Sequence, residues 1–322
     1  MLDMTSIVEQ QNDQVRAVPR VLVLLASYNG APWLAEQVDS ILTQRGVEVS
    51  ILIGDDLSKD ATRSLVQKKW GNDARVALHA WDRPSGSAGA NFRRLYRFAD
   101  PTGFDLVALA DQDDIWAADK LQTAAAALEA KDAVGYSCAV TSFWPDGRER
   151  VMAQRPVTSN GDFLFEGAGQ GCTFVMSARF FVRVQAFCHD HAEAVETLHY
   201  HDWLVYLLSR AWGLKWYFDA APKMRYRQHD GNEIGSRGGL ASITRRLELV
   251  RNGWYRKQVL AAARIYVVAD TRPAAIHHFL GVLESPDSVS RRAKLAWFCM
   301  WNGRRRLSDR AVLLFASAVG WL

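Results

Sequence analysis

Cysteine is scarce in this chain, and no two cysteines are close. Cys138, Cys172, Cys188 and Cys299 stand far apart in 322 residues, with no CxxC pair. That excludes a disulfide-stapled scaffold and the usual structural zinc spacing, and it fits a reducing, cytoplasmic setting. A membrane-spanning run is missing too. The largely apolar dozen from Ala311 to Leu322 is too short to cross a bilayer. Met1 to Val18 has neither a basic stretch nor an apolar core, so it reads as a disordered leader and not as a signal peptide. There is no internal repeat and no low-complexity tract. With 49% hydrophobic and 23% charged residues, wholesale disorder is excluded. The length allows one large α/β domain with an appendage, or two small domains.

Charge of one sign is missing overall but not locally. From Arg237 to Leu322 there are 15 Lys or Arg against 5 Asp or Glu, a net +10, which leaves −6 on the rest of a chain whose total is +4. A neutral-to-acidic body with a basic tail suggests that the tail meets an anionic surface such as a membrane. In that tail Arg291, Arg292 and Lys294 are followed by Trp297 and Phe298, and Arg304-Arg305-Arg306 precede the apolar dozen. Basic clusters beside Trp, Phe and Leu fit a helix lying in the membrane interface. The same apolar faces would equally serve to pack on the rest of the chain or to form a dimer seam.

What the sequence does contain is an alternation. Val21 to Ala26 is a continuous apolar run of strand length, as a strand buried on both faces requires. Pro32 then opens a helix whose Leu34, Val38, Ile41 and Leu42 form one stripe. A second strand over 47–53, a helix from Ser58 or Asp60, and a third strand over 76–80 follow. The Gly/Ser-rich loop 82–89 leads to a helix with Phe92, Leu95 and Tyr96, and then to a strand over 104–110. This order predicts a doubly wound, largely parallel sheet over the first 140 residues. Later, a short strand at 172–176, helices over 178–187 and 202–211, and two short strands at 215–218 and 223–227 are expected. Beyond Gly239 the pattern is helical and basic.

Three polar clusters, Ser27-Tyr28-Asn29, Asp55-Asp56 and Asp111-Gln112-Asp113-Asp114, fall just past the carboxyl ends of strands, where open α/β sheets bind ligands. Three carboxylates within four residues raise one another's pKa and call for a cation, for which Mg²⁺ or Mn²⁺ shared with substrate phosphates is the usual solution for oxygen ligands. A solvated acidic turn entering the helix near Asp119 is the plainer alternative.

Together the motifs Ala26-Ser27-Tyr28-Asn29-Gly30, Gly54-Asp55-Asp56-Leu57-Ser58-Lys59-Asp60 and Ala110-Asp111-Gln112-Asp113-Asp114-Ile115-Trp116 resemble family 2 glycosyltransferases, particularly the rhamnosyltransferase-like branch. Gly169-Gln170-Gly171-Cys172-Thr173, His201-Asp202-Trp203 and Tyr226-Arg227-Gln228-His229 before Asn232 agree, so the resemblance spans about residues 20 to 235. It implies a GT-A fold, an α/β architecture with a mixed, mostly parallel sheet and here a C-terminal helical extension. The implied division is a leader (1–18), a GT-A domain (19–236, nucleotide-sugar half 19–118, acceptor half 119–236) and a basic extension (237–322).

The resemblance also implies roles. Ser27, Tyr28, Asn29, Asp55, Asp56, Asn91, Asp111 and Gln112 would bind the nucleotide sugar. Asp113 would hold a divalent cation, with His229 as a further ligand or a plain surface histidine. Asp202 would be the catalytic base of an inverting transfer, or simply a helix cap. Gln170, Gly171, Cys172, Thr173, His201 and Trp203 would line the acceptor side, with Cys172 a packed residue and not a nucleophile. Arg225 and Arg227 either neutralise phosphate or alternate along a strand edge.

The implied donor is a nucleotide-diphosphosugar, dTDP-L-rhamnose favoured over a UDP-hexose. The implied acceptor is a saccharide, free or lipid-linked, in surface polysaccharide or O-antigen synthesis. Peripheral contact with the inner membrane face and a homo-oligomer are compatible with this reading, and no nucleic acid is expected. A nucleotidyltransferase would want a Gly-rich basic loop after the first strand, where Ser27 to Gly30 stands. A receiver domain would leave Asp111 to Asp114 and Asp202 unexplained, and a degenerate scaffold should have lost one of these acids.

Overall fold

The structure, a computed structural model, describes residues 18–155, 159–229, 248–270, 272 and 274–322. Most of the expected leader, Asn232 and the expected boundary at 236/237 lie outside the described residues.

The first strand, β1 (Arg20–Ser27), explains why its run is apolar without interruption. Successive side chains point to opposite faces of a strand. Leu22, Leu24 and Ala26 join one core, and Val21, Val23 and Leu25 join the other. Both faces are covered, so neither parity of the strand can be polar.

The second core is closed by α1 (Leu34–Leu42), α2 (Thr62–Trp70) and α4 (Lys120–Lys131). The first is closed by α3 (Ala88–Phe98), α5 (Ala178–Asp190) and α7 (His201–Ala211), with the short α6 (Ala192–Glu196) beside them. Helix α2 starts later than expected because Asp60 is engaged in the loop, accepting from the Ala31 and Thr62 amides.

Among the described residues one nine-stranded sheet runs through the fold. Its parallel half is β3 (Val76–Ala80), β2 (Glu48–Asp55), β1 and β4 (Leu106–Ala110), in that spatial order. Beyond β4 the sheet turns mixed. β8 (Val175–Ser177) lies antiparallel to β4 and to β6 (Gly135–Phe143), whose edge carries β7 (Glu149–Met152). β9 (Trp216–Arg227) runs parallel to β6, and the two-residue β5 (Ile115–Trp116) pairs antiparallel with β9.

The two short strands expected near 215 and 223 are thus one strand, with Pro222 at a register irregularity, where a missing N–H does no harm. The segment expected as a strand from Cys172 begins as a 3₁₀ turn over Gly171–Thr173 and becomes β8 only at Val175.

The described residues beyond β9 include the helices α8 (Trp254–Ala269), α9 (Ala274–Glu284), α10 (Val289–Asn302) and α11 (Leu307–Ala318). One face of this group enters the first core: Val259, Ile265, Phe279, Leu295, Cys299 and Leu313 are buried there with Phe163, Phe165 and Trp203. Arg305, between α10 and α11, is buried against Asp162 (2.8 Å) and donates its main-chain N–H to Glu166 (2.6 Å). The opposite face of α10 and α11 stays in solvent. No helix among the described residues is long and apolar enough to cross a membrane.

Candidate active site

The carboxyl ends of β1, β2 and β4 open onto a cleft of about 520 Å³. It brings together Ser27, Tyr28, Asp56, Asp111, Gln112 and Asp113 from these strand ends and Asn91 from α3 with Gln170, Gly171, His201, Asp202 and His229 from the second half of the chain. Tyr28 is about half exposed, an aromatic face open to a stacking partner. Of the other expected residues, Asn29, Asp55, Cys172, Thr173 and Trp203 do not line the cleft.

Cross-links between loops fix the strand-end side. Gln112 Oε1 accepts from Ser27 Oγ (3.0 Å) and the Tyr28 amide (2.8 Å), and its Nε2 donates to the Tyr28 carbonyl (3.0 Å). A Cβ at Gly30 would collide with Gln112 Oε1, so this clasp requires glycine there. Asn29 has a left-handed backbone (φ 50°), which Asn tolerates. Its amide donates to Ser58 Oγ (2.9 Å) and its Oδ1 accepts from the Lys59 amide (2.8 Å).

Asp55 is fully buried and accepts from the Ser58 amide and Arg63 Nε, while its Oδ1 has no partner among the described residues. Asp56 holds the 82–89 loop, accepting from the Ser85 amide and hydroxyl, each at 2.7 Å. Asn91 donates to the Gly54 carbonyl (2.9 Å) and accepts from Trp81 Nε1 (2.7 Å).

The acidic turn is gripped by the end of β9. Arg227 donates its main-chain N–H to Asp114 Oδ1 (3.2 Å) and its Nε–H to the Asp113 carbonyl (2.8 Å). His229 Nε2 meets Asp113 Oδ2 at 2.7 Å, and its ring stacks on Trp33 with centroids 4.1 Å apart. Asp114 is wholly buried, and burial together with Asp113 and Asp111 pushes its pKa well up. Its Oδ2 has no partner among the described residues.

Asp111, Asp114 and Cys172 bring ligand atoms within 4.8 Å of one another. Burial and the two carboxylates push the Cys172 thiol up, so it remains a thiol, a poor ligand for a hard cation. Arg225 is engaged elsewhere, paired with Glu149 at 2.6 Å on the strand edge.

Across the chain, Asp202 sits in the first turn of α7, its Oδ1 accepting from the Trp203 amide (2.7 Å). His201 is buried, stacks on Phe92 with centroids 3.9 Å apart, and shares a 2.7 Å hydrogen bond between Nδ1 and Tyr96 Oη. Burial lowers its pKa to about 3, so the imidazole is neutral and serves to position its neighbours. Trp203 is buried in the core and donates to the Phe163 carbonyl (2.6 Å). Thr173 Oγ1 donates to the Gln170 carbonyl (2.7 Å).

The profile of the family described as "Glycosyl transferase family 2" matches residues 22–187. The dTDP-rhamnosyl transferase RfbG of Shigella flexneri is 35% identical over 240 residues, covering 74% of this chain and 83% of the relative. This chain belongs to glycosyl transferase family 2.

The succinoglycan biosynthesis protein ExoO of Rhizobium meliloti is 37% identical over 123 residues, 38% of this transferase and 33% of that protein. In fold, the transferase superimposes on residues 1–349 of S. aureus TarS, solved with UDP-GlcNAc, at TM-score 0.58 and 15% identity, covering 94% of this chain and 89% of that one. The expected GT-A fold is present.

Three residues that matter to the transferase's site escaped the sequence reading. Lys120 is wholly buried, donates to the Cys172 carbonyl (2.9 Å) and lies 3.2 Å from the Trp116 ring centroid. Burial lowers its pKa to about 8 although Asp114 and Asp111 oppose this, and it supplies part of the positive charge that the acidic turn demands. Arg93 donates to the carbonyls of Leu198 (3.1 Å) and His199 (3.0 Å), anchoring the chain that enters α7. Met152 lines the cleft from β7. Lys120 and Arg93 read locally as ordinary helix cations, and only their burial marks them.

His201 makes a pH prediction. The unfolded imidazole takes up a proton near pH 6.5, whereas the folded one resists to about 3. Below pH 6.5 protonation therefore favours the unfolded chain, and stability falls with pH by about 1.4 kcal/mol per unit from this group. Urea unfolding of His201→Gln at pH 7, 6 and 5 should show a correspondingly flatter acid slope than wild type. An unchanged slope would contradict the neutral buried imidazole.

Proposed function

We propose that the transferase moves L-rhamnose, with inversion, from dTDP-L-rhamnose to a hydroxyl of a saccharide acceptor in cell-surface polysaccharide or O-antigen synthesis. The observation that carries this reading is a single cleft holding a carboxylate-rich turn at one strand end and a separate carboxylate, Asp202, on α7. The similarity to a dTDP-rhamnosyl transferase over most of both chains favours the donor.

The acidic turn fits a divalent cation. Asp111, Asp113 and Asp114 crowd negative charge into one turn, and Asp114 Oδ2 has no partner among the described residues. Asp113 and His229 would hold the ion, with Asp111 beside it, and the bound ion would neutralise the leaving diphosphate. Tyr28 offers its exposed ring to the base, and the Gln112 clasp holds that ring's backbone in place. Asp202 takes the proton of the attacking hydroxyl as its oxygen bonds to the anomeric carbon. Neutral His201, locked by Tyr96 and Phe92, keeps that turn of α7 in place without competing for the proton.

Calorimetry with dTDP-rhamnose, UDP-glucose and UDP-galactose, each with and without Mn²⁺, tests the donor. Metal-dependent binding of dTDP-rhamnose, at least about tenfold tighter than either UDP-hexose, is expected. A tighter UDP-hexose would replace the donor, and no binding at all would end the donor reading.

The solvent face of α10 and α11 bears on location. Trp297 and Trp301 are 66% and 60% exposed, and Met300, Leu307, Val312 and Phe315 are exposed with them. On α10 the exposed positions 293, 297, 300 and 301 follow helical spacing along one side. Arg292, Lys294, Arg306 and Arg310 stand among these residues in the chain. Tryptophans among cations suit an anionic membrane surface. Trp297→Ser/Trp301→Ser should lose at least about tenfold in binding to phosphatidylglycerol vesicles, since each indole buries large apolar area. A wild-type dimer in solution broken by the same change would make this face a self-interface instead.

A further inference from the structure

Beside the main cleft lies a second cavity of about 200 Å³, and Met152, Gly169 and Gln170 line both. The rest of its wall is of different chemistry. Arg150 comes from β7, Arg155 from the segment after it, and Arg305 and Arg306 from the turn between α10 and α11. Arg150 and Met152 share one face of their strand by alternation, so one strand end serves both cavities.

The charge balance of this corner is lopsided. Arg210 and Arg305 meet Asp162, at 3.4 and 2.8 Å, and Arg304 meets Glu166 and Asp309, at 3.3 and 3.5 Å. Three cations thus face three carboxylates, and that network is internally neutral. Arg150, Arg155 and Arg306 make no ion pair and no side-chain hydrogen bond among the described residues. The pocket's one carboxylate, Glu166, is already taken up by Arg304 and Arg305, so the guanidinium groups of Arg150, Arg155 and Arg306 outnumber the anions left to them, repel one another and favour an anion between them. Their planar forks match phosphoryl oxygens better than a point charge would.

The position favours the acceptor over the donor. None of the loops bearing Tyr28, Asp56 or Ser85 reaches this pocket. The wall that it shares with the cleft belongs to the segment whose Gly167 packs on the backbone of Asp202 and Trp203. We propose that this basic annexe binds a phosphate or diphosphate ester of the acceptor, anchoring it while a sugar hydroxyl of the same molecule reaches Asp202. The inference rests on the reading of Asp202 as the base on the acceptor side.

The test uses Arg150→Ala/Arg306→Ala in the full chain. Neither side chain has a partner among the described residues, so the variant should fold, unlike one at the buried Arg305. Lys68→Ala/Arg179→Ala removes the same charge from exposed helical positions and serves as the control. The probes are geranyl diphosphate, geraniol, inorganic pyrophosphate and phosphatidylglycerol vesicles, titrated with dTDP held saturating.

Geranyl diphosphate should bind wild type and geraniol should not, and the arginine pair should weaken that binding at least about tenfold. The control should not weaken it, and dTDP affinity should stay within about twofold in both variants. Loss of dTDP affinity with the arginines would give the annexe to the donor and overturn the proposal. So would inorganic pyrophosphate binding as tightly as geranyl diphosphate, or arginine-dependent vesicle capture that geranyl diphosphate does not compete. If dTDP fails to bind but arginine-dependent geranyl diphosphate binding persists, the annexe stands and the donor reading falls.

Discussion

Replacing Asp202 by asparagine is expected to lower kcat about a thousandfold while leaving donor affinity within about twofold. The amide retains an oxygen that can accept from the Trp203 amide, as Asp202 Oδ1 does at 2.7 Å, so the start of α7 should hold its shape. What is lost is the only property that the proposed mechanism asks of this residue, the capacity to take a proton. Initial rates with donor and acceptor, set beside calorimetric donor binding, separate the two effects. A variant that kept more than about a tenth of the activity would sink the base assignment. One that lost donor binding as well would show that Asp202 belongs to the nucleotide side.

Asp113→Asn should act on the other half of the cleft. The substituted amide can still reach His229, whose Nε2 lies 2.7 Å from the carboxylate, so the stacking on Trp33 should survive. The charge does not survive. Donor binding should lose its dependence on Mn²⁺, and kcat/KM should fall about a thousandfold, the several kcal/mol of charge stabilisation that a bound cation gives a leaving group. Calorimetry with and without Mn²⁺ reads the first effect and steady-state kinetics the second. If metal-dependent binding persisted unchanged, the ion would have to be held by Asp111 and Asp114 without Asp113.

Sequence patterns revealed those parts of the molecule whose burial is symmetric. β1 and β4 are covered on both faces, and their apolar runs said so. The polar clusters at the strand ends could be grouped because parallel topology puts all such ends on one edge. β6 gave no comparable signal, because Gly-Tyr-Ser-Cys-Ala-Val-Thr-Ser-Phe carries hydroxyls where a buried strand should be apolar. The structure shows why they are tolerated: Ser137 donates to the Ala168 carbonyl (2.8 Å) and Ser142 to Met152 Sδ (2.8 Å), partners far along or across the sheet.

Roles were harder to read than positions. Asn91 and Gln112 were expected to touch the nucleotide sugar, and their amides are largely spent tying strand ends together. The annexe was invisible, since Arg150 and Arg306 are over 150 residues apart in the chain. The basic tail gave two readings because it has two faces, one packed on the first core and one in solvent.

The grip of β9 on the acidic turn also bears on how the protein comes into being. Ile115 pairs with Arg225, and Asp113 and Asp114 find their partners at Arg227 and His229. A ribosome releases the acidic turn long before it makes those partners. Until then the parallel strands can assemble, but three carboxylates stand together without the hydrogen bonds that shape them. Such distant pairings are the slow ones, because their loops must close before any contact rewards the closure. The proposed catalytic centre is therefore among the last features to mature, and a chain arrested before residue 225 would have the strand-end loops without the hydrogen bonds that shape the acidic turn proposed to hold a cation.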